Sequence, residues 1–186
     1  FGTDVTFGFR TAVEVVTDAF DRIETTTRSH SRIMLVEVMG NKAGWLTLHS
    51  GIAAGVQMIL IPEIPFNLDV VCDTLNARIA AGETYTMIAV AEGAVLDAEA
   101  RFKKEERAFA RPAFGETTVT RHLAEVIGER TGTETRYTVL GYLQRGGTPC
   151  AFDRLLCSRL GGVAAQLAKE GRFGVTAAVS GGRITF

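Results

Sequence analysis

Apolar residues recur at Ala12, Val16, Ala19 and Ile23, with Val13 and Phe20 beside them and Asp18, Asp21 and Arg22 opposite. That spacing predicts an amphipathic helix over residues 9–28. The next segment, 33–38, is almost continuously apolar, as a strand buried on both faces requires. Downstream the pattern predicts a short helix at 44–54 and a strand at 56–61 that ends at Pro62-Glu63. Asn67 or Asp69 caps a helix carrying Val70, Leu75 and Ile79, which closes at Gly82. Strands are expected at 86–91, at 135–140 as a buried strand, and at 175–179. Helices are expected at 122–130 and, longest of all, at 152–170. A charge-rich stretch, 98–111, reads as a solvated helix or a loosely ordered insertion. The Gly181-Gly182 pair marks a turn before the strand-like Arg183-Ile184-Thr185-Phe186.

Strands alternating with helices of ten or more residues predict an α/β protein with a parallel sheet covered on both faces, a three-layer sandwich. Ligands of such sheets bind beyond the carboxyl ends of the strands. Three predicted strand ends carry unusual residues: Met39-Gly40, Glu92-Gly93 and the run from Tyr142 to Gly147. The last of these is the most informative. In Thr138-Val139-Leu140-Gly141-Tyr142-Leu143-Gln144-Arg145-Gly146-Gly147-Thr148-Pro149 a β-branched strand stops at glycine. A guanidinium between polar and double-glycine positions follows, and then what reads as a helix start. Such a turn aims a cation and backbone N–H groups at an anion, which points to a phosphorylated small molecule.

The 186 residues carry a formal net charge of −1, so nothing marks a nucleic-acid or membrane-surface partner. The longest apolar candidate, 51–65, is interrupted by Glu63 and two prolines and is not a membrane span. Cys72, Cys150 and Cys157 lack metal-ligand spacing, which suits reduced thiols and a cytoplasmic location. The first residue, Phe1, and the stop inside a strand-like run suggest a piece of a longer polypeptide.

Single residues allow two readings each. Arg145 is a phosphate-binding fork or a surface turn residue. Glu92 accepts hydrogen bonds from sugar hydroxyls or begins a helix. Tyr142 donates to a phosphate or fills the sheet edge. Arg32 and Arg136 stand at strand entries, at the end of the sheet opposite Arg145. If they serve the same ligand, another subunit must present them. His30 reads as a turn residue, and His49 as a helix residue more than a catalytic base. Asp153-Arg154 reads as a helix-start cap or a link to the rest of the site. No Ser-His-Asp or Cys-His set is evident.

Ser29-His30-Ser31-Arg32, Val36-Glu37-Val38-Met39-Gly40, Pro62-Glu63, Glu92-Gly93, Arg136 and the run Leu140 to Pro149 together resemble the 6-phosphofructokinase family. The likeness keeps the family's order over nearly the whole chain and loosens between residues 95 and 132, a variable insertion. It implies phosphorylation of fructose 6-phosphate to fructose 1,6-bisphosphate in glycolysis, with Mg²⁺ and either ATP or pyrophosphate. By the same resemblance Arg32 and Arg136 reach the 6-phosphate of a neighbouring subunit in a homo-oligomer, a homotetramer. Met39 and Gly40 wall the sugar site, Glu92 binds sugar hydroxyls, and Tyr142 and Arg145 hold the 6-phosphate within the subunit. Asn41, Leu143 and Gln144 complete the implied substrate-binding set.

Two positions depart from the family's habit. Asn41 stands where arginine usually follows Met-Gly, and Tyr142 replaces a histidine common in bacterial ATP-dependent members. The family's glycine-rich donor site and Thr-Ile-Asp-Asn-Asp segment would lie upstream of residue 1, together with the general base and the Mg²⁺ ligands. This stretch alone is therefore not expected to catalyse. The resemblance further implies a fragment of a two-domain fold, with 1–143 in the sugar-phosphate domain and 144–186 returning to the donor-binding domain. The alternatives are a non-catalytic sugar-phosphate-binding regulatory subunit and, more distantly, a generic nucleotide-binding domain.

Overall fold

The computed structural model describes residues 2–101 and 118–186. The amphipathic helix is α1, Phe9–Ser29, and the buried strand is β1, Ile33–Val38. There follow α2 (Trp45–Ala53), β2 (Met58–Leu60), α3 (Leu68–Ala80) and β3 (Thr86–Ala91). After residue 118 come α4 (Val119–Thr131), β4 (Thr135–Val139), a 3₁₀ turn (Gly141–Arg145) and α5 (Ala151–Lys169). The chain closes with β5 (Ala178–Ser180) and β6 (Arg183–Thr185).

Four strands form one parallel sheet in the order β2-β3-β1-β4. Alternation along β1 divides the core in two. Ile33 and Leu35 join Leu75 of α3 and Leu123 and Ile127 of α4 on one face. Met34, Val36 and Val38 join Val16 and Phe20 of α1, with Leu46 of α2 packed against them, on the other. The expected three layers are therefore present. Asn67 caps α3 through its Oδ1, which accepts from the N–H groups of Asp69 and Val70 at 2.8 and 3.2 Å.

The differences from the sequence reading concern edges. Strand β2 spans three residues instead of six. Strand β4 is the sheet's outer strand, so it is not buried as expected, and Tyr137 and Val139 remain 41% and 44% exposed. Its β-branched run matches a buried strand in composition, but among the described residues only one neighbour, β1, pairs with it. The segment at 175–179 does not extend the parallel sheet. Instead β5 pairs antiparallel with β6. Gly181 and Gly182 have φ of 55° and 75°, the left-handed pair that a two-residue hairpin turn demands. The helix expected at 122–130 is present as Val119–Thr131 and packs into the core, whereas 102–117, which includes most of the charge-rich stretch 98–111, lies outside the described residues.

Helix α5 begins at Ala151, and Arg154 Nε donates to the Pro149 carbonyl. It buries only Asp153, Leu156 and Leu167, and leaves Leu155 62% exposed. Asp153 fastens it to α1. Its Oδ2 accepts from the Thr11 backbone N–H at 2.9 Å and from the Thr11 hydroxyl. Burial alone would push this carboxyl up. Hydrogen bonds from the Thr11 hydroxyl, the Thr11 and Gly8 backbone and the Cys150 thiol outweigh it and hold the group below the ordinary aspartate value. Asp153 thus ties α5 to α1, the link of the two readings and not the helix-start cap.

Candidate functional site

Parallel strands release their chains at one rim of the sheet, and there β1, β3 and β4 each end in residues with chemistry to offer. The loop after β1 bends back tightly. A Cβ placed on Gly40 would lie 2.1 Å from the Ala43 carbonyl oxygen, and one on Gly93 would lie 2.0 Å from the Asn41 carbonyl oxygen. Both contacts are impossible for a side chain, so only glycines let the loops after β1 and β3 nest. Asn41 takes φ of 55°, a conformation that asparagine tolerates.

Glu92 locks that nest. Its Oε1 accepts from the N–H groups of Gly40 and Asn41 at 3.1 and 2.6 Å. It starts no helix; the chain turns directly at Gly93. Gln144 makes the matching link from the third loop. Its Oε1 accepts from Met39 N–H at 3.0 Å, and its Nε2 donates to the Gly141 carbonyl at 3.1 Å. Gln144 is buried, so this residue, expected to touch substrate, has both polar ends engaged by the protein's own loops. Glu63 braces the start of α2, where its two oxygens accept from Gly44 N–H at 2.8 and 3.0 Å.

Between these loops lies a hollow of about 240 Å³ lined by Glu37, Met39, Glu92, Val139, Gly141, Tyr142 and Arg145. It brings together Met39, Glu92, Tyr142 and Arg145 of the expected site. Among the described residues Arg145 makes no ion pair, and Tyr142 is 84% exposed. A guanidinium and a phenol thus stand open beside two carboxylates, a set suited to an anion that also carries hydroxyl groups. Leu143, 71% exposed, lies in the adjoining groove between α1 and the 3₁₀ turn. Gly40 and Asn41, also expected in the site, do not line the hollow; their backbone N–H groups donate to Glu92, which does.

Glu37 escaped the sequence reading, although a signal was present: it is the one acid in a run of six buried positions. Arg32 and Arg136 lie elsewhere. They sit toward the amino-terminal rim: Arg32 lies five residues before Glu37, roughly 16 Å of strand, and Arg136 three residues before Val139, roughly 10 Å. Both point at one carboxylate oxygen: Glu134 Oε1 lies 3.3 Å from Arg32 Nη2 and 3.0 Å from Arg136 Nη2. Nε of Arg32 is buried without a partner among the described residues.

His49 packs edge-on against Phe9, with ring centroids 5.2 Å apart, and near Trp45. His30 ends α1 and bonds to Ser29 and to the Thr26 carbonyl. Among the described residues no three His, Cys, Asp or Glu side chains are grouped to hold a metal ion. Nor is any of their helices long and apolar enough to cross a membrane.

Comparison with known proteins agrees with this architecture. The family model described as phosphofructokinase matches residues 1–168. The chain is 48% identical over 184 residues to an ATP-dependent 6-phosphofructokinase of Spirochaeta thermophila, covering 99% of this chain and 50% of that protein. It is 46% identical to an ATP-dependent 6-phosphofructokinase of Corynebacterium efficiens, covering 98% of this chain and 53% of that one. The chain thus spans about half the length of the curated relatives it matches. Among solved structures, phosphofructokinase from Saccharomyces cerevisiae superposes with a TM-score of 0.78 at 34% identity, covering 98% of this chain and 23% of that one. A pyrophosphate-dependent phosphofructokinase from Marinobacter aquaeolei gives a TM-score of 0.68 at 23% identity, covering 92% and 41%, a likeness of fold.

Proposed function

This chain belongs to the phosphofructokinase family, and from that premise we propose that its protein transfers a phosphoryl group to fructose 6-phosphate, giving fructose 1,6-bisphosphate in glycolysis. The observation that carries the reading is the convergence of Met39, Glu92, Tyr142 and Arg145, from the ends of three strands, on one hollow. Arg145 supplies a fork for the 6-phosphate and Tyr142 a second donor. Glu92 spends one oxygen on the loops and turns the other to a sugar hydroxyl. These residues bind and orient; they do not themselves move the phosphoryl group.

The hollow is smaller than the roughly 300–1,000 Å³ of a typical small-molecule site. The remaining walls, on this reading, come from the rest of the protein and from a second subunit. Arg32 and Arg136 are the residues a neighbour would offer, since one chain cannot bring them to its own hollow. A homo-oligomer, a homotetramer in this proposal, and a cytoplasmic setting follow from the same reading. ATP is the favoured donor, because the relatives at 46–48% identity are named for it. Phosphofructokinases generally need Mg²⁺, and the described residues offer no cluster to hold it. The regulatory-subunit alternative is not favoured, because the relatives carry the enzyme's name.

Replacing Arg136 by alanine in the complete enzyme tests the proposal. The KM for fructose 6-phosphate should rise roughly ten- to a hundred-fold, the scale of a lost charge-assisted hydrogen bond, with the donor KM nearly unchanged. Steady-state kinetics with each substrate varied in turn checks it. Equal effects on both would remove Arg136 from the sugar-phosphate site.

A further inference from the structure

The alternation of β1 fails at one position. Ile33 and Leu35 point into the core beneath α3 and α4. The third residue of that row is Glu37, in register with Val90 of β3 and Val139 of β4. Two-residue periodicity calls for an aliphatic side chain there. A glutamate stands there instead, 5% exposed, its Oε2 sealed from solvent and without a hydrogen-bond partner among the described residues. A carboxylate withdrawn from water with no donor is among the least favourable groups to bury. A local rule broken at such a cost marks a functional position more often than a structural one.

The place where Glu37 can be satisfied is visible. The residue lines the same hollow as Arg145 and Tyr142. Glu92, the other carboxylate of the hollow, already has Oε1 committed to Gly40 and Asn41. Glu37 has no such commitment among the described residues.

We infer that Glu37 is a second hydroxyl-binding carboxylate of this site, accepting a hydrogen bond from a hydroxyl of the seated sugar phosphate. The inference rests on the reading of the hollow given above and assigns it a specificity. The anionic end of the ligand lies toward Arg145, and the polyol end lies against Glu37 and Glu92. Two carboxylates repel a bare anion from the polyol end and reward a ligand that brings O–H donors. The site therefore selects a polyhydroxylated phosphate ester over inorganic phosphate.

Glu37→Gln in the complete enzyme, with Glu37→Leu as a second variant, tests this by calorimetric titration with fructose 6-phosphate and with inorganic phosphate. Both variants are also melted without ligand. Affinity for fructose 6-phosphate should fall roughly ten- to a hundred-fold. Affinity for inorganic phosphate should hold or rise. The ligand-free melting temperature should hold or rise, most in the leucine variant, because a buried polar group without a partner has gone. A lower melting temperature with parallel loss of both ligands would make Glu37 a structural residue and overturn the inference. Unchanged fructose 6-phosphate affinity would overturn it too. Arg145→Ala separates the two levels. If it weakens the sugar phosphate and the Glu37 variants do not, only this inference falls; if none of them does, the hollow itself has been misread.

Discussion

The two rims of the sheet solve opposite problems with the same kinds of residue. At the carboxyl rim, Glu92 and Gln144 bond to backbone N–H groups of the loop after β1, so Arg145 is left without an ionic partner among the described residues. At the amino rim the carboxylate of Glu134 is itself the partner, shared by Arg32 and Arg136. Backbone bonds hold one set of loops rigid and leave its cation available. Side-chain ion pairs occupy the cations of the other. A charge kept open for a ligand needs its surroundings fixed by groups other than its natural counter-ion. A neutralised pair needs no such frame, but an incoming phosphate must displace Glu134 to reach it.

If the carboxyl rim is a rigid frame, the largest effect should come from a methyl group at its tightest contact. Gly93→Ala places a Cβ 2.0 Å from the Asn41 carbonyl oxygen, and backbone cannot rotate away as a side chain would. The expected loss is about 3 kcal/mol of stability, at the upper end of overpacking, together with fructose 6-phosphate affinity. Urea denaturation and ligand titration measure the two. A cost under about 1 kcal/mol with full affinity would mean that these loops yield easily, and the contrast between the rims would disappear.

Gln144→Ala should cost less, about 1–3 kcal/mol, by leaving Met39 N–H and the Gly141 carbonyl without their partner. This substitution also sharpens the role of Gln144. A frame residue loses stability first, and affinity falls with it. A direct substrate contact would lose affinity while the ligand-free protein melts as before.

The sequence announced the carboxyl rim more clearly than the strands leading to it. Glycine after an apolar run has few uses, so Gly40, Gly93 and Gly141 placed the strand ends, and the arginine between polar and glycine residues stood out. Edge and centre were harder to tell apart. Thr135 to Val139 has the composition of an interior strand, and only the pairing order shows that it has a single neighbour among the described residues. Composition reports what a strand can tolerate; its neighbours decide how much it buries. Glu37 passed unremarked, and the loop partners of Gln144 were not foreseen, for a related reason. Both are polar residues whose meaning depends on whether a donor lies opposite, and that is fixed by loops distant in sequence. The C-terminal hairpin followed another competitor, the Gly181-Gly182 turn. The turn was foreseen, but the return strand it permits draws β5 away from the parallel sheet.

The smallest effect belongs to the amino rim. Glu134 and Arg136 have much of their side-chain surface in reach of water, at 45% and 62% exposure. An ion pair in that setting is worth about 0.2–1 kcal/mol. Arg32 is more enclosed, at 17%, so most of any cost should arise there. Glu134→Gln keeps the size of the side chain and one acceptor oxygen while removing the charge that two guanidiniums share. Its stability should fall by no more than about 1 kcal/mol in urea titrations at low salt. In about 1 M salt, where the screening length contracts to about 3 Å, the difference from the parent should shrink further. A loss above about 2 kcal/mol that salt does not reduce would show Glu134 acting as Glu92 does, as part of a fixed frame. The two rims would then be built alike, and Arg32 and Arg136 would be held too firmly by their own chain to be surrendered to a neighbour's ligand.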